Sequence, residues 1–442
     1  MTTMTTRYKV GYSLTKVEAP ERVKQALRLL LTYNVPYALR IRGKVTWKMR
    51  ERTFLWGDEF PTGFLPRVLE HFPGEVIDNR TPITITPKTP HLEGVELLDF
   101  QKEAVSKIIE AKRCVVSSAV STGKTYIAAA IISALEELPF LYLVHRGDIL
   151  RQTYERFRRW LPSRSIGILG GGFKKEGRDM VCTFQSAHNL PTRDFKLLIV
   201  DECQHAVASK FMEVVCSFDA PYCVGLTGTP KGRSDAADFL LGVLFGPTIQ
   251  AVSVDEARKL GLVCDARFFM ISVPSKCISY PVDDWQVAEN TCIVNNATRN
   301  ELIRTIVEET RKEGVVLIIV RRIEHGKILT GLIPDAMYVD SHSSWEVRDK
   351  VRKAKEGVII ATGIVEEGLD NPHIRVIINA AAGKSPIVTT QRVGRGLRFS
   401  PGKTLLYFDF LDFSHPLLRK HSLKRKKVYQ TLGRVEDVDL AG

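Results

Sequence analysis

Short apolar runs alternate with stretches of helical spacing along most of this chain, and the pattern is played twice. CVVSSA, FLYLVH, KLLIVDE and CVGLTGT come first; GVVLIIV, GVIIAT, RVIINAA and TLLYFDF follow, with the changeover between Gly246 and Tyr280. Runs so rich in Val, Ile and Leu are strands buried on both faces, and the helical segments between them are the crossovers of a mostly parallel sheet. The expected fold class is therefore α/β, two parallel-sheet lobes in tandem. At 442 residues the chain is too long for one core and suits two or three domains.

The first ninety residues read differently. Val23, Ala26, Leu27, Leu30 and Leu31 recur at helical spacing behind Pro20, and FPTGFLPRVLEHF predicts a second, short helix. Between them, RIRGKVTWKMRER places Arg40, Arg42, Lys44, Lys48, Arg50 and Arg52 at even positions and Ile41, Val45, Trp47 and Met49 at odd ones. In extended chain this gives a ribbon with one cationic and one packed face, provided the turn near Gly43 has odd length; a two-residue turn divides the cations between faces. A guarded edge strand explains the same pattern. Residues 79–94, with Pro82, Pro87 and Pro90, read as a connector. The expected organisation is a small basic N-terminal α+β domain over 1–91, a first lobe over 92–255 and a second over 256–442.

Sixty-three Lys and Arg against fifty Asp and Glu leave a formal charge of +13, which favours a polyanionic partner, with nucleic acid foremost. The eight cysteines have no CxxC pair and no zinc-like spacing, so they are expected to be reduced core residues. MTTMTTRYKV lacks an apolar signal core, and no run of about 18 apolar residues suggests a membrane span. A cytoplasmic location and no membrane partner are the expectation.

Ser118 to Thr125 read SAVSTGKT. A phosphate-binding loop needs backbone N–H groups around the phosphates, a lysine to neutralise charge and a hydroxyl for magnesium, and Ser121, Thr122, Gly123, Lys124 and Thr125 supply these. Ser118 and Ser121 stand where glycines are common. Downstream, KLLIVDE puts Asp201 and Glu202 at the C-terminal end of a buried strand, where ligands of open α/β sheets collect. There Asp201 suits Mg2+ together with Thr125, and Glu202 suits orientation of the attacking water. An acidic helix cap is the bland alternative.

Motifs in this order resemble the superfamily 2 helicases of the DExH kind over about residues 97–430, which implies RecA-like lobes, ATP and Mg2+. LLDFQ resembles the adenine-reading element, implying a base contact at Gln101 and stacking at Phe100. LVHRGDILRQ and TFQSAHN resemble backbone-gripping motifs and imply nucleic-acid contacts at Arg146, Thr183 and Gln185, with Ser186 beside them. GLTGTP resembles the coupling motif, implying roles for Thr227 and Thr229. In the second lobe LIIVRRIEH implies Arg321 near nucleic acid, with His325 either beside it or an ordinary surface histidine; ATGIVEEGLDNP implies a phosphate contact at Thr362 and nucleotide-facing Gly368 and Asp370. QRVGRGLR implies Gln391 at the hydrolytic water and Arg395 and Arg398 at the γ-phosphate. Charge developing in phosphoryl transfer is what a guanidinium neutralises, which agrees.

The flanks, FPTGFLP, RNELI and RKHSLKRKKVY, resemble the phage UvsW-type branch-migration helicases related to the XPB group. This implies a DNA helicase or translocase moving 3′ to 5′ on forks or four-way junctions, acting as a monomer, in the host cytoplasm if phage-encoded. Arg42, Lys48 and Arg50 are then the expected duplex contacts of the first domain. Arg419, Lys420, Lys424, Arg425, Lys426 and Lys427 add a basic tail that could meet a duplex backbone, although a solvated helix face is the usual meaning of such a run. The rivals are a DExH RNA helicase and a duplex translocase that does not separate strands.

Overall fold

Two sheets of nearly uniform parallel strands organise the protein. The structure is a computed structural model that describes residues 6–41, 44–190, 194–206, 209–228, 235–273, 284–340, 342–362 and 371–439; the side chains at 35–50, 148, 209–210, 235–237, 345 and 387 lie outside that description. Met1–Ser118 and Gly123–Val252 form one compact unit, and a second contains Ser253–Gly442.

In the first unit an eight-stranded sheet runs Phe173–Lys175, Ile166–Gly170, Asp179–Thr183, Phe140–Val144, Leu197–Val200, Tyr222–Thr227, Arg113–Ser118, Thr248–Val252. Only the edge pair, Phe173–Lys175 against Ile166–Gly170, is antiparallel. The four apolar runs of the sequence are its central strands, fully buried along Phe140–Val144, Leu197–Val200 and Tyr222–Thr227. Helices such as Lys124–Ala134 and Gly147–Trp160 supply the crossovers.

The N-terminal segment has the expected α+β character. A small sheet in the order Glu59–Pro61, Leu14–Glu18, Arg7–Val10, Glu75–Asp78 carries the helices Glu21–Leu30 and Leu65–His71. It does not close a core of its own. Tyr8, Leu27, Phe54, Phe60, Phe64 and Val68 belong to one apolar cluster with Phe184, Met212, Leu240, Leu244 and Phe245 of the larger sheet layer. The join is tight: a Cβ placed on Gly63 would lie 2.1 Å from the Val243 carbonyl oxygen. Ser13 donates its backbone N–H to Asp219 Oδ1 at 2.8 Å, and Arg52 meets Glu213 at 2.8 Å. Residues 79–90 contain neither helix nor strand, as a connector should.

The cationic run forms the hairpin Thr32–Ile41 with Lys44–Thr53. Its register pairs Ile41 with Lys44, Arg40 with Val45, Tyr37 with Lys48 and Val35 with Arg50. Every pair sums to an odd number, the signature of a two-residue connection. Of the two turn lengths the sequence leaves open, this is the two-residue case. Arg42 lies outside the described residues, as do the side chains of Lys48 and Arg50.

In the second unit seven parallel strands run Met337–Val339, Gly357–Ala361, Val315–Ile319, Ile374–Asn379, Thr404–Leu411, Asp265–Ser272, Arg434–Asp439. Four of them are the second set of apolar runs. The C-terminal helix Pro416–Gln430 packs on this sheet through Leu418, His421, Ser422, Arg425 and Tyr429.

Candidate nucleotide and nucleic-acid sites

The strand Arg113–Ser118 delivers the chain into SAVSTGKT, and the helix Lys124–Ala134 carries it away. Gly123 caps that helix in the left-handed region at φ +86, and Ser121 is also left-handed at φ +68. The second value shows why glycine is common at this position: Ser121 occupies a conformation that a Cβ disfavours. The Gln101 side chain lies against the loop, since a Cβ on Gly123 would sit 3.1 Å from its Nε2. Gln101 is buried, its Oε1 accepting the Leu98 N–H at 3.0 Å, while Phe100 is half-buried against the lobe's core. Thr125 stands in the first helical turn, partly exposed.

Asp201 follows the strand Leu197–Val200 directly, its N–H bonded to the Leu143 carbonyl at 2.9 Å. Its carboxyl is pushed up to about 6 by burial and by the neighbouring Glu202, against the opposing charge of Lys124. Lysine, aspartate and glutamate from two motifs some eighty residues apart thus act on one another. The buried Tyr142 hydroxyl of the adjacent strand also lies beside Asp201.

Glu202 turns the chain sharply at φ +46, its N–H bonding Asp201 Oδ1 at 3.0 Å. Gln204, 0% exposed, donates its Nε2 to Glu202 Oε2 at 2.5 Å and accepts the Thr227 hydroxyl on Oε1 at 2.8 Å. Both ends of one amide are used, so Glu202 and Thr227 are mechanically joined. Sequence reasoning missed this residue. A DExH pattern puts histidine at position 204; here Gln204 holds that place and His205 stacks on His145 with ring centroids 4.5 Å apart. Thr229 lies outside the described residues.

Arg146 caps the helix Gly147–Trp160 at its N-terminus and is partly exposed. Thr183 precedes the short helix Phe184–Ala187 and bonds Ser186 Oγ through its hydroxyl at 3.0 Å, with Gln185 exposed beside it. Gly170 joins these elements, since a Cβ there would meet the Thr183 hydroxyl at 2.5 Å.

In the second unit Thr362 follows the strand Gly357–Ala361, its N–H held by the Val339 carbonyl at 3.2 Å. Gly368 and Asp370 lie outside the described residues. Arg321 is half-exposed, its guanidinium 5.4 Å over the Trp285 ring and 3.5 Å from Glu289. His325 is not at a surface: it is buried, bonded to Asn300 Oδ1 at 2.9 Å, and burial together with Arg299 takes it down to about 3. The histidine near nucleic acid is therefore corrected to a neutral core residue.

The helix Pro386–Gly394 presents Gln391, partly exposed, and Arg395 and Arg398 follow its end, also partly exposed. Arg392 is the motif's buried arginine. It donates to Asn379 Oδ1 at 3.0 Å and to the Ala382 carbonyl at 2.7 Å. Asn379 bonds Asp409, and Asp409 takes a bidentate contact from Arg425 at 2.7 and 2.9 Å and the Tyr429 hydroxyl at 2.5 Å. Burial alone would push the Asp409 carboxyl up, but the Arg425 charge and its hydrogen bonds bring it below the usual range. Arg425, 1% exposed, is thus an internal partner rather than a duplex contact, and Lys426 is tied to Asp437 at 2.5 Å. Arg299 of RNELI is likewise internal, 3.1 Å from Asp412. The missed signal was the pair Asp409 and Asp412 inside an apolar run, since a buried carboxylate demands a buried cation.

Residues 94–232 match the family described as type III restriction enzyme, res subunit, and 298–400 the helicase conserved C-terminal domain. The chain is 27% identical over 362 residues to the DNA 3′-5′ translocase XPB2 of Sulfurisphaera tokodaii, covering 71% of this chain and 81% of that one. It is 22% identical to the ATP-dependent DNA helicase uvsW of Enterobacteria phage T4, covering 75% and 71%. In fold it is similar to the DNA-bound type ISP restriction-modification enzyme LlaBIII (TM-score 0.58, 15% identity, 79% of this chain and 32% of that one). It is also similar to Saccharomyces cerevisiae Dbp5 bound to RNA and ADP BeF3 (TM-score 0.54, 13% identity, 78% and 94%). The chain belongs to superfamily 2 of the helicases.

Proposed function

We propose that this helicase-family protein is an ATP-driven DNA helicase or translocase that moves 3′ to 5′ and remodels branched DNA, such as forks and Holliday junctions, by branch migration. In this reading Lys124 with Ser121, Thr122 and Gly123 cradles the phosphates, Gln101 and Phe100 read the base, and Glu202 orients the water. Gln391, Arg395 and Arg398 act on the γ-phosphate, with Gly368 and Asp370 beside the nucleotide. Asp201 and Thr125 suit Mg2+: a carboxyl held up to about 6 by burial favours a nearby cation, and magnesium commonly takes one or two protein ligands. Bound there, Mg2+ would neutralise charge on the phosphates.

The observation that carries the motor reading is the Glu202–Gln204–Thr227 relay. The glutamate proposed to orient the attacking water is bonded through one amide to the motif proposed to report phosphate state, which is what coupling of ATP turnover to strand movement requires. Arg146, Thr183, Gln185, Arg321 and Thr362 are the proposed backbone contacts, with Thr227 and Thr229 in coupling. Such contacts give little sequence preference. The preference for DNA is supported by the names of the XPB2 and uvsW relatives and by the charge of +13.

A second reading, a duplex translocase that does not separate strands, is favoured by the match to a restriction-enzyme subunit over 94–232. ATPase stimulation by single-stranded, duplex, forked and four-way DNA, with an RNA control, tests the main reading. Strongest stimulation by forked or four-way DNA supports it, and stimulation by RNA alone refutes it. Triplex displacement from blunt duplex without fork unwinding favours the second.

A further inference from the structure

The antiparallel edge of the first sheet carries a feature that no motif explains. Gly170 pairs with Phe173, so Gly171 and Gly172 form a two-residue turn, with φ +57 and +86. Positive φ at both positions is what a type I′ turn requires. The turn is docked on the candidate backbone-gripping elements: a Cβ on Gly171 would lie 3.1 Å from Gly147 Cα, next to Arg146, while Gly170 abuts Thr183. The returning strand, Phe173–Lys175, is exposed along its whole length.

Lysines on an open edge have an ordinary explanation, since they block edge-to-edge pairing. Phe173 does the opposite. It is 40% exposed in a strand that places nothing in the core, and the Arg151 guanidinium lies 5.9 Å from its ring. A partly exposed ring, with the Arg151 guanidinium, itself paired with Glu155 at 2.8 Å, on one side and Lys175 and candidate phosphate contacts nearby, fits an unpaired base stacked next to its own backbone. Bases within a duplex are already stacked, so the ligand class is single-stranded nucleic acid at a branch.

We infer that the Gly170–Lys175 hairpin is a base-stacking element, with Phe173 as the platform for an unpaired base leaving the junction and Lys175, two residues on along the same face of the strand, as its phosphate contact. This rests on the proposal that Arg146 and Thr183 hold the backbone.

The test uses the full chain and a labelled fork with poly-dT arms. Phe173→Ala should raise Kd roughly tenfold with an unchanged salt slope, because a stack and no charge is removed. Lys175→Ala should flatten the slope instead. Phe173→Trp should bind as wild type and show extra fluorescence quenching with oligo-dT. Wild-type affinity in Phe173→Ala, or no extra quenching in Phe173→Trp, would overturn the inference, as would an equal loss on blunt duplex. Arg146→Ala separates the two levels: weakened binding there beside intact Phe173→Ala removes only the stacking role, whereas wild-type binding in Arg146→Ala removes the backbone proposal.

Discussion

Replacing Gln204 tests the motor account at its narrowest point. Gln204→Met keeps the shape and loses both bonds, to Glu202 at 2.5 Å and from Thr227 at 2.8 Å. A hydrogen bond to a charged group is worth about 1.5–3 kcal/mol. At 1.36 kcal/mol per factor of ten, full expression in the transition state would cut DNA-stimulated kcat roughly 10–100-fold. Gln204→Glu should do worse, because it sets a second carboxylate against Glu202. Gln204→His, which restores the family residue, should retain most turnover. Because a chain of two compact units need not unfold in one step, the double-mutant cycle with Thr227→Val is best run on kcat rather than on unfolding. Thr227 gives its hydroxyl hydrogen to Gln204 Oε1, so Gln204→Met and Thr227→Val both remove that one bond. The two effects should therefore be less than additive, with a coupling of about 0.5–3 kcal/mol. Additive effects, or unchanged DNA stimulation in Gln204→Met, would refute the relay.

Other variants test the remaining roles. Lys124→Ala should abolish ATP hydrolysis with an unchanged circular dichroism spectrum; wild-type turnover would take Lys124 out of the site. Arg395→Ala should lower kcat far more than it raises the KM for ATP, because its charge is needed mainly in the transition state. Asp201 holds its proton to about pH 6, whereas an unfolded aspartate releases it near about 4. The folded state therefore binds the extra proton in that window and loses stability as pH rises through it. Asp201→Asn, free of nucleotide, should then melt above wild type at pH 7 and show no such advantage at pH 4, as read by thermal shift. Gly63→Ala forces a methyl to within 2.1 Å of the Val243 carbonyl oxygen, so it should lower Tm and expose the N-terminal segment to limited proteolysis.

Much of the fold was legible because buried parallel strands announce themselves as apolar runs, and all eight runs named from the sequence became strands. The candidate phosphate loop and the paired acids could be named because such chemistry permits few residues, and the structure brings Lys124 and Glu202 to Asp201. What escaped was decided by partners distant in sequence. Gln204 looks like any polar residue until Thr227 comes to face it. The basic run at Arg419–Lys427 looks uniform until helix geometry turns Arg425 inward to Asp409 while Lys420, Lys424 and Lys427 stay outside. The hairpin's register hung on the length of one turn, which residue type alone left open, and His325 was hidden because a single histidine carries no sign of its burial.

The shared core beneath Phe64, Leu240 and Leu244 has a mechanical corollary. A segment that has no interior of its own cannot swing on its connector, so the N-terminal residues must travel as a rigid outrigger of the first sheet. Anything they hold would move with the strands of that sheet.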